Sequence, residues 1–367
     1  ELNNVVHHER TNQADILDIE APNMHGVSKN DFLKFNVDND GLVVNNSVAA
    51  GDSEIGGYVH GNVNFVGSEA EIILFETGGT KRSMLYGMTE IFGNNAEFIL
   101  ANPNGITCNG CGFINTPRVT LSTGTSLFTP DGQLQALVVE QGDVHITGAG
   151  MNVDNIDYVS ILSRSARIHA ELRAYKLDVI TGRNEVDYQT NAVTPLSNND
   201  AGKPQFGIDS TLLGGMYANK ITLVSTEDGV GVRAKGDVAA WNDLTIDSNG
   251  SMYLYGDHKA NGVHSLIKSQ KGNVTLNADD KLFSAGSHIT AGKNITLETA
   301  NDNIELMGIK VTQTDGENST QYVRGTDLNA GHGINITSGN DIAIYGSNTH
   351  SGLDTTLTAD QNVTIRA

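Results

Sequence analysis

The chain has 367 residues, with 41 glycines, 6 prolines, 1 tryptophan and charged residues at 18%, a composition of many short strands joined by tight turns rather than long amphipathic helices. Acidic residues outnumber basic ones 43 to 23, and the net charge of −20 opposes attraction to nucleic-acid phosphates or anionic lipid headgroups, so no nucleic-acid partner is expected. No run of apolar residues is long enough to span a bilayer as a helix.

The chain opens at Glu1 with no charged n-region or apolar h-region, so any export signal is expected to have been removed or to lie outside the sequence. His7-His8 is too short for an affinity tag and reads as a pair of exposed terminal histidines. Strands bounded by Gly, Asn or Asp are expected at 16–19, 35–37, 42–44, 63–66, 72–75, 96–100, 119–121, 134–139 and 144–146. Between two of them stands Asn102-Pro103-Asn104-Gly105-Ile106. Asn102 and Pro103 open a tight turn, Asn104 and Gly105 tolerate positive φ, and Ile106 returns the chain to a buried extended path: a corner between strands. The only two cysteines, Cys108 and Cys111, follow directly. A closed zinc site needs four ligands, and the nearest histidines in sequence, His60 and His145, are remote. A redox pair belongs at a helix start in a βαβ unit, which is missing here. Residues 163–177 would tolerate a helix but run into a strand-turn-strand string at 178–188, so strand is preferred; polar residues 189–207 then read as a loop leaving the main body.

The second half repeats one phrase, a turn ending in Gly or Asn followed by alternating apolar and polar residues, as in Asn219-Lys220-Ile221-Thr222-Leu223, Asn242-Asp243-Leu244-Thr245-Ile246 and Gly272-Asn273-Val274-Thr275-Leu276. It returns at Lys293 to Leu297, Gly333 to Ile336, Asn340 to Ile344 and Asn362 to Ile365. Alternation at period two marks half-buried strands. The step from Val274 to Ile295 is 21 residues and from Leu223 to Ile246 is 23, the length of one solenoid coil. Leucine-rich repeats have a similar length, but their Leu-x-x-Leu-x-Leu frame and helical back are absent. The prediction is therefore all-β, a right-handed parallel β-helix whose coils stack inward Val, Ile and Leu and keep Thr, Asn and Asp outside. A terminal cap must cover the open end, and residues 1–66 are expected to supply it together with the first coils. Several phrases contain Asn-x-Thr, a glycosylation acceptor pattern; at coil starts the asparagine reads as a turn residue instead.

Asn102 to Ile106 resembles the Asn-Pro-Asn-Gly-Ile signature in the secretion domain of large exoproteins exported by two-partner secretion, a family that includes filamentous haemagglutinins, haemolysins and contact-dependent growth-inhibition toxins. The resemblance continues in order through Ala21 to Asn30, Phe35-Asn36-Val37, Gly41-Leu42-Val43-Val44-Asn45-Asn46-Ser47, Arg118 to Gly124 and Val179 to Tyr188, the last similar to the family's extra-helical hairpin. It implies secretion-domain coils over 67–300 with an excursion at about 163–210, and repeat-region coils over 301–367. It also implies export through the periplasm to the cell surface or extracellular space, and recognition by the periplasmic domains of a cognate outer-membrane barrel transporter. Asn102, Pro103, Asn104, Gly105, Ile106, Asn45, Asn46 and Ser47 become the candidate recognition or fold-signature residues. In an exported chain, Cys108 and Cys111 are expected to form a small structural disulfide. A monomer with no cofactor and no metal is expected, with a target-cell receptor or glycan as a further partner of the whole exoprotein.

Parallel β-helices also house polysaccharide lyases and glycosidases, the main rival reading. Such sites need clustered carboxylates. Asp178, Asp187, Asp237, Asp279 and Asp280 are scattered at turns, and no Gly-x-Ser-x-Gly, phosphate loop or His-Glu-x-x-His is present, so no catalytic residue is assigned. A third reading, a glycan-binding adhesin module, would use 185–217 and 308–330, which interrupt the coil rhythm.

Overall fold

The computed structural model describes residues 5–197, 201–256, 265–315 and 318–367. Among them, every regular element is a β-strand. The chain forms two compact units, residues 1–197 and 198–367. Each is built from parallel β-helix coils with three walls, which is the predicted fold.

In the first unit, one wall stacks Val27–Phe32, Ile72–Thr77, Glu97–Ala101, Arg118–Ser122, Tyr158–Ser163 and Lys176–Thr181 in parallel. A second stacks Ser83–Leu85, Ile106–Cys108, Asp143–Ile146 and Ser165–Ile168. The third side holds Met88–Gly93 with Gly112–Ile114, and farther along Met151–Val153 with Leu172–Ala174. Register is continuous from coil to coil. Ile73, Phe98, Val119, Val159 and Leu177 form one inward column and Phe75, Leu100, Leu121, Ile161 and Val179 another, all buried. Near its start the interior is aromatic: Phe35, Phe32, Phe75, Phe98 and Phe113 follow one another with centroids 5.0–5.4 Å apart, a spacing that suits tilted and edge-on ring packing.

The first strands form a sheet of their own. Asp15–Asp18 pairs with Leu42–Asn46, which pairs with Met88–Gly93. Val6–His8 runs antiparallel along Asp15–Asp18, so the sheet ends on an antiparallel ribbon. The two histidines of that ribbon are exposed as read from the sequence, and they face Asp15 and Asp18 at 3.0 and 3.1 Å.

The excursion differs from the expected hairpin. Lys176–Thr181 stays in the first wall because Leu177 and Val179 continue its inward columns; Gly182, at φ +117, then turns the chain outward. What leaves the coil is a four-stranded antiparallel sheet in which Gly124–Phe128 pairs with Leu134–Val139, that strand with Asn184–Asp187, and the last with Val193–Pro195. Two stretches far apart in sequence thus build one layer. Leu74, Ile99, Thr120, Ser160 and Asp178 are buried although they alternate with the inward columns, as expected of a wall covered on both faces.

The second unit repeats more regularly. One wall runs Lys220–Ser225, Leu244–Ser248, Val274–Ala278, Ile295–Thr299, Ile334–Ser338 and Thr355–Ala359. Ile221, Leu244, Val274, Ile295 and Ile334 make its first inward column. A second wall runs from Phe206–Ser210 through Gly231–Ala234, Met252–Tyr255, Leu282–Ala285, Ile304–Met307 and Ile342–Tyr345 to Val363–Arg366. The third wall uses Met216–Ala218, Val238–Ala240, Leu266–Ser269, His288–Ala291, Asp327–Ala330 and Asn348–Ser351. The coil-start asparagines form ladders: Asn294 Nδ2 donates to Asn273 Oδ1 at 3.3 Å, and Asn362 Nδ2 to Asp341 Oδ1 at 3.0 Å. The interruption expected at 308–330 contains a hairpin, Ile309–Asp315 against Asn318–Arg324. Residues 316–317 and 198–200, within the two predicted interruptions, lie outside the described residues.

Candidate functional site

One coil of the first unit collects most of the singled-out residues. It leaves the first wall after Glu97–Ala101, crosses the second as Ile106–Cys108 and the third as Gly112–Ile114, and re-enters the first at Arg118–Ser122. All three of its corners are braced.

At the first corner Gly105 N–H donates to Asn102 C=O at 2.9 Å, closing the turn that Pro103 and Asn104 span. Asn102 is fully buried. Its Nδ2 donates to Lys81 C=O at 3.0 Å and Ser83 Oγ at 2.9 Å, both on the previous coil, while its Oδ1 accepts from Asn104 N at 3.0 Å. Its own N–H donates to Ser122 C=O on the next coil. Asn104 Nδ2 reaches Gly79 C=O at 2.7 Å. Gly105 sits at φ +103, and a Cβ there would stand 2.8 Å from Asp143 O and 2.9 Å from the Arg82 guanidinium carbon, so neither backbone nor space admits a side chain. Ile106 is buried between Ser83 and Val144. Pro103 and Asn104 remain half-exposed and border a groove with Asp31, Glu76, Thr125 and Gln141.

At the second corner Cys108 and Cys111 are joined in a disulfide with Cα atoms 5.3 Å apart, both buried. Cys108 pairs with Leu85 and Ile146 in the second wall, and Cys111 bridges to Met151 on the third side. The third corner is Asn115, at φ +60, whose Nδ2 donates to Ile91 and Gly93 carbonyls at 2.7 and 2.9 Å. Nothing in the sequence reading singled out Asn115; an asparagine before Thr-Pro, directly after a short apolar strand, was the available signal.

Asn45, Asn46 and Ser47 serve a different corner, at the end of Leu42–Asn46, and are not brought together with Asn102. Asn45 Nδ2 donates to Asp18 Oδ1 at 2.6 Å and His60 C=O at 2.9 Å. Asn46 clamps a loop from both sides, its Nδ2 donating to Ala70 and Asn94 carbonyls and its Oδ1 accepting from Ala70 N at 2.8 Å. Ser47 Oγ donates to Ala49 C=O at 2.8 Å. Asn62, not singled out beforehand, joins this group by donating to Ile19 and Asn45 carbonyls at 3.0 and 2.8 Å.

The carboxylates of the rival reading serve local structure at separate places. Asp178 accepts from Tyr158 Oη at 2.7 Å beneath the antiparallel sheet, Asp187 caps the turn at Gln189 and Thr190, and Asp237 accepts from Leu266 N at 3.0 Å. Hydrogen bonds from Thr190 hold the Asp187 carboxyl below its ordinary pKa. Asp279 and Asp280 contribute backbone N–H bonds to Ser248 and Gly250 carbonyls. Among the described residues, no three His, Cys, Asp or Glu side chains converge as metal ligands. Among the described residues, no helix is long and apolar enough to cross a membrane.

The TPS secretion domain family matches residues 1–254, and the hemagglutinin repeat family matches 246–324 and 317–367. A protein called 16S rRNA endonuclease CdiA from Enterobacter cloacae is 36% identical over 92% of this chain and 10% of its own length. A tRNA nuclease CdiA-2 from Burkholderia pseudomallei is 41% identical over 66% of this chain and 8% of its own. The chain thus spans about a tenth of the length of the curated relatives it matches. The crystal structure of a filamentous hemagglutinin secretion domain superposes with a TM-score of 0.67 at 25% identity, covering 100% of this chain and 98% of that one. Ordered coils, the braced corner and these matches agree: the chain belongs to the two-partner secretion domain family, whose exoproteins reach the cell surface or extracellular space through a cognate outer-membrane transporter.

Proposed function

We propose that this chain targets and nucleates the folding of a large surface exoprotein, which carries a contact-dependent growth-inhibition toxin or serves as a haemagglutinin-type adhesin. Support for the toxin comes from the relatives' names as RNA-cleaving CdiA proteins. In this reading the chain is a monomer, recognised in the periplasm by the soluble domains of its transporter, with residues 1–66 as cap and first coils. Secretion-domain coils then occupy 67–300, and 301–367 begins the repeats. A receptor or glycan on a target cell would be a partner of the whole exoprotein.

The observation that carries the proposal is the coil from Glu97 to Pro117, fixed at three corners by Asn102, the disulfide and Asn115. A rigid coil offers the next segment a complete parallel edge, so growth proceeds by neighbour addition. Because Asn102, Asn45 and Asn46 are buried in the folded chain, any reading of their side chains by the transporter has to precede folding.

The test measures secretion and folding separately. Asn102→Ala and Asn104→Ala are made in the exoprotein co-expressed with its transporter, and the purified variant chains are melted in denaturant. Asn102→Ala is expected to destabilise the chain by about 2 kcal/mol or more, since it strands buried acceptors. If both variants fold as the parent does while secretion fails, Asn102 and Asn104 are recognition residues. Secretion that falls only in step with stability makes them corner braces. Undiminished secretion by variants that cannot fold would defeat the nucleation reading.

A further inference from the structure

The second unit carries an aromatic groove on the outside of its second wall. Asp209, Arg233, Tyr253 and Phe283 follow one another in register. Their strand neighbours Ile208, Val232, Met252 and Leu282 are buried in the core, so this row points outward, with Tyr255 two residues beyond Tyr253. Phe206 meets Tyr253 edge-on at 6.0 Å, Tyr253 and Tyr255 are parallel within 2° at 6.2 Å, and Phe283 lies 6.4 and 5.8 Å from them. Gln205, Phe206, Arg233, Tyr253 and Tyr255 border a groove of about 410 Å³, with Phe283 beside its tyrosines.

Two of the rings are held from the side. Tyr255, Phe283 and Met307 pack on a buried cluster of Ala285, Ile309 and Val311, the last two from the protruding hairpin. Arg233 Nε and Nη2 donate to the two Asp209 oxygens at 2.8 and 2.7 Å, while the guanidinium lies 4.5 Å from the centre of the Phe206 ring. The ion pair balances its own charge. It therefore gives an anion no net attraction, and the chain's charge of −20 opposes one.

We propose that this groove binds a neutral oligosaccharide. Apolar C–H faces of pyranose rings would lie on the aromatic side chains, and sugar hydroxyls would bond to the tyrosine hydroxyls, the Gln205 amide and the Arg233–Asp209 pair. A few convergent polar groups among aromatic walls are what small-ligand sites generally present. Because Phe206, Arg233, Tyr253 and Phe283 come from four successive coils spaced about 4.8 Å apart, the platform extends along the wall and fits a chain of sugars better than a single one. The proposal is independent of export, since it concerns the folded chain alone.

Calorimetry on the chain 1–367 tests it with cellohexaose, maltohexaose and chitohexaose, and with a sulfated heparin hexasaccharide as the acidic control. At least one neutral hexaose is expected to bind. Tyr253→Ala and Tyr255→Ala should each weaken that binding about tenfold, the loss of one ring contact of roughly 1.4 kcal/mol, while Tyr253→Phe retains most of it. If an alanine variant does not fold, protection of the tyrosines against nitration by the same hexaose in the parent chain gives the answer. Absence of binding and protection with all neutral hexaoses, preference for the heparin fragment, or unchanged affinity in the folded Tyr253→Ala/Tyr255→Ala variant would overturn the proposal.

Discussion

Asn102 shows how one amide can join three coils: its side chain donates to the coil before, its backbone donates to the coil after, and its carbonyl closes its own turn. The turn itself was legible from Asn-Pro-Asn-Gly, because those residue types have local uses at tight corners. Its partners were not, since Lys81 and Ser83 are brought near only by coil stacking. Another cross-coil pair gives a pH test. His145 Nε2 and His169 Nδ1 lie 3.0 Å apart, which requires one ring to donate and the other to accept. Burial first, then the neighbouring His169, lowers the His145 pKa from its ordinary 6.5; Arg82 and Arg167 act in the same direction and Asp143 opposes them. The unfolded chain therefore takes up a proton that the folded chain resists. The stability His145 contributes is present above about pH 6.5 and is lost as pH falls through its depressed folded value. Melting temperature should drop between pH 7 and pH 5, and His145→Gln should flatten that drop. An unaltered pH profile in the variant would refute the assignment to His145.

At the level of elements, the inward columns were readable wherever a strand had two or three alternating apolar residues, as in Val274 to Leu276. Third-wall strands such as Val238–Ala240 and Leu266–Ser269 were missed because each commits a single large apolar residue to the interior, Val238 or Ile267. The antiparallel sheet was hidden for another reason. Leu134–Val139 has the alternation of a coil strand, and only tertiary pairing with Asn184–Asp187 moves it outside. Arg118 fastens that sheet to the wall: Nη1 donates to Tyr188 C=O at 2.8 Å, Nη2 to Asn191 Oδ1 at 3.0 Å, and the guanidinium lies 4.0 Å from the Tyr188 ring centre. Tyr188 Oη in turn donates to Glu97, and burial raises its pKa well above the ordinary value. Arg118→Ala should cost about 2–3 kcal/mol, from lost charge-assisted bonds and the cation–π contact. Hydrogen exchange should accelerate first in 184–195 and leave the second-unit walls unchanged. Uniform acceleration throughout the chain would mean that the sheet is no separate latch.

Stacking makes the second unit nearly one-dimensional, each coil resting on its neighbours, so its integrity depends on register more than on the identity of any one coil. Val274 to Ile295 is 21 residues, with no insertion between them. Removing 274–294 from the full chain places Ile295 and Leu297 beneath Leu244 and Ile246, Ile304 beneath Met252, and Leu328 beneath Ile267. Every wall then keeps apolar residues inside. Removing one residue fewer, 274–293, puts Asn294, Thr296 and Glu298 at the inward positions instead, because a one-residue slip exchanges the two faces of a strand. The first deletion is expected to yield a soluble, strand-rich protein with a cooperative melt, somewhat less stable than the parent for want of one interface. The second should aggregate or lose cooperative melting. Circular dichroism and thermal melting of the two proteins side by side decide the point: equal damage from both deletions would show that particular coils, rather than the repeated register, hold this unit together. The same uniformity explains why the sequence marks no sharp end to the secretion coils. Residues 246–254 satisfy both family patterns, and the strand spanning Asp247 and Ser248 pairs with its neighbours in the same register as the coils on either side.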